Sequence, residues 1–468
     1  SQCVLRRTGR DAKPFFVGEF GVNGVSRGGL LARQFAQDGF GCVSNTPANA
    51  HREMGTLLGD LWRTTGLADL YANVETFTRE TFRQAAATRG KMIDCLRSNP
   101  QLCGFSVASL VSWSNGLSVL NFYRDFYPYL HDMLEEKLAP LHWCLFFEND
   151  CIEAGGEADL EVVLANEDVL PPGTYPVRAR AVSREHGCVW DFRTNLTVRA
   201  VAPPMRAPLA QLVFRERFRV AKPGDYECSV ECEAGALPTG GTLTLRVTEP
   251  AQAAPGTRVE TVGFTDAENA WLAARGVELA ASGSAERILV GRTVLSDAAW
   301  SDLAARAEAG ATVVVLDPET LMWRPDAPRK AIDRGDRFLV RQRFPKLPED
   351  LTMRMMMNWA YRDFAVIRPD ALTAGLPPGV CDDRYFAQSY PCCIYETGEP
   401  GRIASFVTGL PAIWGDEMHG FDFGVTLGVW RYGKGRIVLN AYRVFEGKQA
   451  KDPYAGRLLL NMAQGVID

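Results

Sequence analysis

The sequence lacks several features that would assign a protein to a class at once. No apolar run approaches the roughly 18 residues of a membrane-spanning helix, so no membrane span is predicted. The 468 residues carry a formal net charge of only -5, which indicates neither nucleic acid nor an anionic membrane as a partner. There is no fixed-period repeat and no low-complexity tract. The composition, 46% hydrophobic and 23% charged, is typical of a globular protein, and the length suits about three domains.

Zinc-binding cysteine pairs are also missing. The 12 cysteines include no C-x-x-C, and the adjacent Cys392 and Cys393 are poorly placed as metal ligands. Cys228 and Cys232 share one face of a predicted strand but lie about 13 Å apart, too far for a disulfide. Buried free thiols are the preferred interpretation, and disulfides in an exported protein are the alternative. The compartment stays open, with a periplasmic or extracellular location slightly favoured over the cytoplasm. No metal site and no cofactor is predicted.

A short apolar run near the start of the chain ends in one acidic residue. Residues 14–21 read Pro-Phe-Phe-Val-Gly-Glu-Phe-Gly, which predicts a strand buried on both faces, as in parallel sheets. Glu19 then lies at the carboxyl end of this strand, where barrels of parallel strands present catalytic side chains. The pattern alone leaves two interpretations, since Glu19 is either a catalytic group or the partner of a buried Arg or Lys.

An α/β unit follows this strand. Residues 22–60, rich in Gly and Ser, predict a long loop with one short helix near residues 30–37. Helical periodicity covers residues 74–97, and a second buried strand is predicted over residues 102–111. A last helix is predicted over residues 122–138.

Three polar or aromatic residues are candidates for contact with a ligand. Trp113 and Asn115 follow the second strand, so they should share the sheet edge that carries Glu19. Asn23 lies in the loop just after the first strand. An aromatic face beside a carboxylate and an amide suits a sugar, whereas an ordinary core aromatic is the competing interpretation of Trp113.

The rest of the chain has two further textures. Short β-rich runs separated by Pro-Gly and Gly-Gly turns predict a β-sandwich over residues 139–249. Alternating strands and helices predict an open, doubly wound parallel sheet over residues 256–468. Gly-Lys-Gly at residues 433–435 is too short for a phosphate loop and predicts a hairpin turn. His51 and His419 are expected in solvated loops.

The residues around Glu19 resemble a known family. Lys-Pro-Phe-Phe-Val-Gly-Glu-Phe-Gly, residues 13–21, resembles the nucleophile strand, the seventh, of glycoside hydrolases built on a (β/α)8 barrel. Residues 96–100 and 113–117 resemble the final helix and strand of family 2, the β-galactosidases, β-glucuronidases and β-mannosidases. The resemblance implies that residues 1–138 are the last two β/α units, the C-terminal end of a TIM-barrel catalytic domain. Residues 139–249 would then be one of the immunoglobulin-like modules common in this family.

The resemblance also implies an activity. It is that of a retaining, exo-acting β-glycoside hydrolase in which Glu19 is the nucleophile and forms a glycosyl-enzyme. Trp113, Asn115 and Asn23 would bind the β-linked carbohydrate substrate. The last strand departs from the family, because Ala108-Ser109 stands where many members carry Trp-Asp or Thr-Gln.

A larger departure concerns the acid/base residue. In the family it is a Glu that follows an Asn at the end of the fourth strand, and the residues before Glu19 contain no such pair. We therefore expect the chain to be the C-terminal portion of a longer protein, cleaved or encoded as a separate subunit. A second chain would carry the first barrel strands and the acid/base Glu. The alternative function is a non-catalytic carbohydrate-binding or assembly subunit.

Residues 256–468 resemble the class I glutamine-amidotransferase-like module that some β-galactosidases append. The likeness rests on Gly-Leu-Pro at residues 375–377 and on the stretch over residues 428–440. A working amidotransferase needs Cys on a sharp Gly-x-Cys-x-Gly turn and a downstream His-x-Glu. Here Leu316 runs into Asp-Pro-Glu, and His419 is followed by Gly-Phe. The module is therefore predicted to be non-catalytic.

Overall fold

The structure is a computed structural model, and the residues it describes form two compact units. One unit comprises residues 1–26 and 78–250, and the other comprises residues 27–77 and 251–468. The multidomain, sheet-rich α/β organisation is confirmed, whereas the finer domain assignment stays a prediction. The described residues are 14–21, 24, 28–39, 46–111, 118–200, 210–233, 240–323, 325, 337–355, 364–382, 385–386, 388–399, 401–408, 412–414, 417–419, 423–445 and 447–465.

Strands outnumber helices in the described residues. The helices are α1 (Gly28–Gln37), α2 (Thr46–Thr64), α3 (Leu67–Leu70), α4 (Val74–Arg97), α5 (Leu130–Lys137), α6 (Asp266–Ala274), α7 (Asp297–Ala309), α8 (Glu319–Met322), α9 (Lys448–Lys451) and α10 (Pro453–Gln464). The strands are β1 (Phe15–Phe20), β2 (Leu102–Val107), β3 (Leu141–Phe147), β4 (Cys151–Glu153), β5 (Glu157–Asn166), β6 (Gly173–Ser183), β7 (Gly187–Val198), β8 (Ala210–Arg219), β9 (Gly224–Cys232), β10 (Gly240–Thr248), β11 (Arg258–Val262), β12 (Glu278–Leu279), β13 (Arg287–Val290), β14 (Thr312–Val315), β15 (Arg337–Leu339), β16 (Thr352–Met355), β17 (Phe364–Ile367), β18 (Gly379–Val380), β19 (Cys393–Glu396), β20 (Arg402–Thr408), β21 (Ala412–Trp414), β22 (Glu417–His419), β23 (Phe423–Tyr432) and β24 (Gly435–Asn440).

Strands β1 and β2 form a parallel pair, as the sequence predicts. Their register runs from Phe15 opposite Leu102 to Phe20 opposite Val107. Helix α4 connects them in sequence and has the predicted bounds. Its apolar face, which includes Phe82, shares a core with Phe20. Helix α4 packs on one side of the β1–β2 pair, so one face of this two-stranded sheet is covered.

The prediction that β1 is buried on both faces is wrong for the described residues. Phe16 is 60% exposed, and Gly18 and Glu19 are exposed as well, whereas Phe20 is buried. This sheet has only two strands, and α4 with its neighbours packs against one side of it. An apolar strand is buried on both faces only where a second layer covers the other side.

The short helix predicted near residues 30–37 is present as α1, but the prediction of a loop over the rest of residues 22–60 is wrong from residue 46, where α2 begins. Pro47 lies in the first turn of this helix, where its missing N–H group breaks no helical hydrogen bond. Ala50, Met54 and Leu58 follow at intervals of four residues and are all buried. The apolar residues of this segment therefore have helical spacing, although its Gly and Pro residues are typical of loops.

The helix predicted over residues 122–138 is shorter than expected. It begins at Leu130, because Tyr129 adopts a left-handed backbone conformation with φ 65°. Residues before it form turns instead, with Asn121 N–H donating to Asp125 O over 2.9 Å. A left-handed residue cannot continue an α-helix, so the apolar residues upstream are not helical.

Residues 141–248 form two sheets that share one core. One sheet has the order β3-β5-β8, and the other has the order β4-β10-β9-β6-β7. Alternate residues of the strands, such as Trp143, Val162, Ala179 and Tyr226, meet in this core. The arrangement follows from the period-two apolar pattern read in the sequence. Its assignment as immunoglobulin-like stays a prediction.

Strand β3 is buried on its other face too. Cys144 and Phe146, which point away from the sandwich core, pack in a second cluster with Cys95 of α4. Arg97 Nη1 also donates to the carbonyl oxygens of Lys137 and Ala139, over 2.8 and 2.6 Å. Helix α4 therefore packs against the sheet that contains β3, and polar contacts fix its C-terminal end.

The second unit is built on a sheet of 12 strands. Strands β12, β11, β13, β14 and β24 are parallel neighbours, and the central residues of β13, β14 and β24 are buried on both faces, whereas the edge strand β12 is exposed. Helix α7 covers one of these faces. The predicted wholly parallel sheet is wrong in its later half, because β23 turns back antiparallel to β24 through a hairpin at Gly433-Lys434. That tight turn was predicted, and it forces the antiparallel direction.

Two smaller expectations need correction. His51 lies in helix α2 and is only 1% exposed, stacked on the Phe35 ring, so it is not a solvated loop residue. His419 lies at the end of strand β22, which pairs with β21. Met353 of strand β16 packs in the core of the second unit.

Candidate functional site

Glu19 lies at the carboxyl end of a parallel strand pair. Strand β1 ends at Phe20, and the N–H group of Ala108 donates to the Phe20 carbonyl over 2.9 Å just beyond the end of β2. The two strands therefore present their carboxyl ends at one edge. A side chain at this edge projects toward whatever space the following loops enclose.

The backbone directs Glu19 away from the core. The register of β1 against β2 shifts between Val17 and Phe20. Phe20 packs inward with its ring 5.5 Å from that of Phe105, while Glu19 is exposed. A break in the regular pairing redirects a side chain in this way, and such breaks are common beside functional sites.

The chain after Glu19 turns back over the core of the same unit. Gly24 is buried, and a Cβ atom at this position would lie 2.6 Å from the Phe82 ring. Only a glycine fits so close to the ring. Asn23, which precedes it, lies outside the described residues.

Trp113 and Asn115, predicted to contact a ligand, also lie outside the described residues. The residues that flank them are held together, because Val119 N–H donates to Ser109 O over 3.0 Å and Leu120 N–H to Leu110 O over 2.9 Å. The intervening segment thus starts and ends at one place beyond the carboxyl end of β2. The structure neither joins these two residues to Glu19 nor separates them from it.

The second interpretation of Glu19, a buried ion pair, receives no support. Glu19 is exposed, and no ion pair links it to an Arg or Lys among the described residues. Within the described part of the chain, the Glu19 side chain is therefore open to solvent.

The second unit contains a different feature, a cavity of about 280 Å³. It lies at the carboxyl ends of β14 and β24, where Leu316 and Tyr442 follow the two strands. Asn440 joins these ends, since its Nδ2 donates to the carbonyl oxygens of both residues over 2.8 Å. Charged and polar residues line the cavity: Asp317, Glu319, Cys392, Arg443 and Lys448.

Sequence reasoning missed the thiol in this cavity. The sequence identifies Cys392 only as a poor metal ligand and a buried thiol, and it places no cysteine directly after Leu316. Its N–H group donates to Ala441 O over 3.0 Å, which brings the thiol to the end of β24. A hydrogen bond from Cys393 and the nearby Arg443 guanidinium hold the pKa of Cys392 below the usual thiol value, against the effect of burial. Burial raises the pKa of Cys393.

None of the ten cysteines among the described residues is joined in a disulfide. Cys228 and Cys232 share the sandwich core, as their spacing predicted, and burial raises the pKa of Cys228 to about 12. Cys103 and Cys188 are exposed. None of the helices in the described part of the chain combines the length and apolar character of a membrane span.

Comparisons with known proteins give weak likenesses. No family model matches the sequence, and no curated protein matches it either. Among solved structures, a CARDB domain from Pyrococcus furiosus is 11% identical to this chain, with a TM-score of 0.18. The match covers 23% of this chain and 94% of the CARDB domain.

The solved structures with partial likeness include glycoside hydrolases. A family 2 member from Bacteroides cellulosilyticus is 12% identical, with a TM-score of 0.18, over 38% of this chain and 25% of its own. The β-glucuronidase of Parabacteroides merdae is 13% identical, with a TM-score of 0.17, over 38% of this chain and 21% of its own. The chain thus spans a quarter or less of these enzymes, and likenesses this weak carry no argument about its function.

Proposed function

We propose that this chain supplies the nucleophile and part of the sugar site of a retaining, exo-acting β-glycoside hydrolase. One observation carries the proposal: an exposed carboxylate, Glu19, ends a strand that pairs in parallel with β2 after a long helix. Barrels of parallel strands present their catalytic groups at that edge. The motif around Glu19, which resembles the nucleophile strand of family 2, supports the same role.

The chemistry needs two carboxyl groups. The Glu19 carboxylate would attack the anomeric carbon, while the bond from that carbon to the leaving oxygen breaks and a second carboxyl group protonates the oxygen. Water would then attack the glycosyl-enzyme and give its proton to that second group, which releases Glu19. The two groups must lie about 5–5.5 Å apart in a retaining enzyme.

The second carboxyl group would come from a partner chain with the first barrel strands. Support comes from the uncovered side of the β1–β2 pair, where Phe16 is 60% exposed. Leu110, which lies just beyond the end of β2, is 62% exposed as well. Parallel sheets are almost always covered on both faces, and two strands alone make a weak sheet. In this arrangement residues 1–138 complete the barrel, and the two sheets after them form an immunoglobulin-like module.

Trp113, Asn115 and Asn23 would contact the sugar. Support for Trp113 and Asn115 comes from Ala108, which precedes them in sequence and whose N–H group donates to the Phe20 carbonyl at the edge that carries Glu19. The second unit, similar in sequence to an amidotransferase-like module, would have an assembly role.

The test uses the tagged chain purified from its native cells together with any protein bound to it. Aryl β-glycosides are assayed with wild type, Glu19→Gln and the control Glu227→Gln, which changes an exposed strand carboxylate of the sandwich. We expect Glu19→Gln to lower kcat by roughly three orders of magnitude or more, because nucleophilic catalysis is lost. The control should leave kcat unchanged. Circular dichroism of each variant shows whether folding is intact.

A 2-deoxy-2-fluoro aryl glycoside identifies the nucleophile directly. Its glycosyl-enzyme is long-lived, so a peptide containing Glu19 should gain the mass of one fluoroglycosyl group. Labelling of another peptide, or full activity of Glu19→Gln, would refute the assignment. A 51.6 kDa chain that hydrolyses glycosides alone would refute the partner. Carbohydrate binding that Glu19→Gln leaves unchanged, with no turnover by wild type, would favour the non-catalytic subunit.

A further inference from the structure

We propose that Asp94, His142 and Cys144 form a buried zinc-binding site that joins helix α4 to strand β3. This site lies apart from Glu19 and does not depend on the proposed glycosidase activity. It differs from the sequence prediction of no metal site, which rested on the lack of closely spaced cysteine pairs.

The geometry carries the proposal. One carboxylate oxygen of Asp94, one ring nitrogen of His142 and the Cys144 sulfur all lie within 4.8 Å of one another, and all three residues are buried. His142 Nε2 is 2.7 Å from Asp94 Oδ1. A tetrahedral zinc ion with ligand bonds of about 2.0–2.3 Å places its donors about 3.3–3.7 Å apart. Small side-chain rotations are therefore enough to accommodate the ion.

The fold produces this cluster from two distant segments. His142 and Cys144 are two residues apart on β3, so both side chains leave the strand on the same face, opposite the sandwich core that holds Trp143. Asp94 lies in the last turns of α4, which packs on that face beside the buried Cys95. The helix is fixed in position by Arg97, which binds carbonyl oxygens near the end of α5.

The donor set suits zinc better than the hard divalent cations. A thiolate and an imidazole are zinc ligands, while magnesium and calcium prefer oxygen donors alone. Binding would displace the thiol proton of Cys144 to solvent and use the neutral His142 ring. The other carboxylate oxygen of Asp94 is 3.1 Å from Lys137 Nζ. Lys137 would not touch the ion, but this contact would hold the Asp94 carboxylate in the orientation that the ion needs.

A metal-free alternative exists for the same contacts. Asp94 and Lys137 form an ion pair, His142 donates a hydrogen bond to Asp94, and a neutral Cys144 packs as a small apolar residue. The alternative predicts that zinc changes neither the content nor the stability of the protein, and the two explanations therefore differ in a direct measurement.

The full chain is purified without chelators, and its zinc content is measured by inductively coupled plasma mass spectrometry. We expect about one zinc ion per chain, lost on treatment with a strong chelator together with a fall in the melting temperature. Cobalt added to the apo-protein should produce the thiolate-to-cobalt absorption of a tetrahedral site. A chain without zinc, whose melting temperature zinc does not raise, would overturn the proposal.

Variants locate the ion. Cys144→Ser and His142→Asn should each abolish stoichiometric zinc and the cobalt absorption. Cys228→Ser, which changes a buried thiol in the sandwich core, should retain both. Zinc and cobalt titrations of the wild-type apo-protein keep the test decisive if a variant fails to fold. Zinc retained by folded Cys144→Ser would overturn the proposal. Glycosidase activity enters none of these readouts, so failure here is distinct from failure of the Glu19 assignment.

Discussion

Each unit contains parallel strands whose carboxyl ends meet at one edge, and the two edges are built in opposite ways. In the first unit the edge of β1 and β2 carries one exposed carboxylate on a sheet of two strands. In the second unit the edge of β14 and β24 carries a cavity, and the strands beneath it are buried on both faces. The first edge presents a single exposed side chain, whereas the second borders a partly open cavity.

The difference between the two edges shows how the surrounding layers determine the rigidity of groups at the end of a strand. A buried parallel sheet fixes its own edge, because neighbouring strands and covering helices leave only small side-chain adjustments. A pair of strands covered on one face presents its groups but does not enclose them. The first edge therefore presents one exposed carboxylate, whereas the second holds charged groups and a thiol around one space.

The largest loss of stability that we expect comes from the polar contacts between the sheet of the second unit and helix α7. Glu260 on β11 is 3% exposed and accepts two hydrogen bonds from Arg306 of α7, over 2.9 and 2.5 Å. Glu260→Gln should destabilise the second unit by about 3 kcal/mol, because the buried side chain at this position loses its two charge-assisted hydrogen bonds with Arg306. Hydrogen exchange of β11 and α7 measures this loss. Unchanged protection would contradict it.

The pH dependence of this contribution has a definite sign. The hydrogen bonds from Arg306, with further ones from Gly283 and Ser282, hold the pKa of Glu260 below its usual value. Its contribution is complete above the unfolded carboxyl pKa of about 4.3 and is lost as the pH falls through the folded value. The stability gap between wild type and Glu260→Gln should therefore be constant near pH 7 and shrink below about pH 4.

A smaller effect should distinguish the thiol of the cavity from other buried thiols. Because the pKa of Cys392 is lowered and that of Cys228 is raised to about 12, Cys392 should carry far more thiolate at pH 8. We expect iodoacetamide to modify Cys392 at least about ten-fold faster than Cys228, measured by mass spectrometry of peptides. Arg443→Met should slow this reaction. Equal rates at the two cysteines would show that the cavity is closed to small reagents.

The smallest effect should come from the open sheet. Phe16→Ala removes a side chain that is 60% exposed, so the isolated chain should lose no more than about 0.5 kcal/mol. Val314→Ala, on a strand buried on both faces, should cost about 1–3 kcal/mol. Chemical denaturation of both variants checks the comparison. A large loss for Phe16→Ala only in the native complex would show that a partner covers this face.

Local pattern was enough for much of this fold. The bounds of α4, the alternation of the sandwich strands and the hairpin at Gly433-Lys434 were all predicted, because each depends on neighbours a few residues apart. Helix α2 also has a local signal, the spacing of the buried Ala50, Met54 and Leu58. Pro47 and the glycines in the same segment favour a loop instead and obscure that signal.

Long-range packing decided the rest. The sequence placed Glu19 at a strand end, but whether that strand was covered depended on how many strands and helices pack around it. Cys392 follows β14 by more than seventy residues, and Asp94 precedes His142 by 48, so no spacing rule connects these groups. Local periodicity determines which segments are helices or strands because backbone geometry repeats over a few residues. Only the packed sheets determine which side chains share a cavity, since contacts between distant segments form when their apolar faces are buried together.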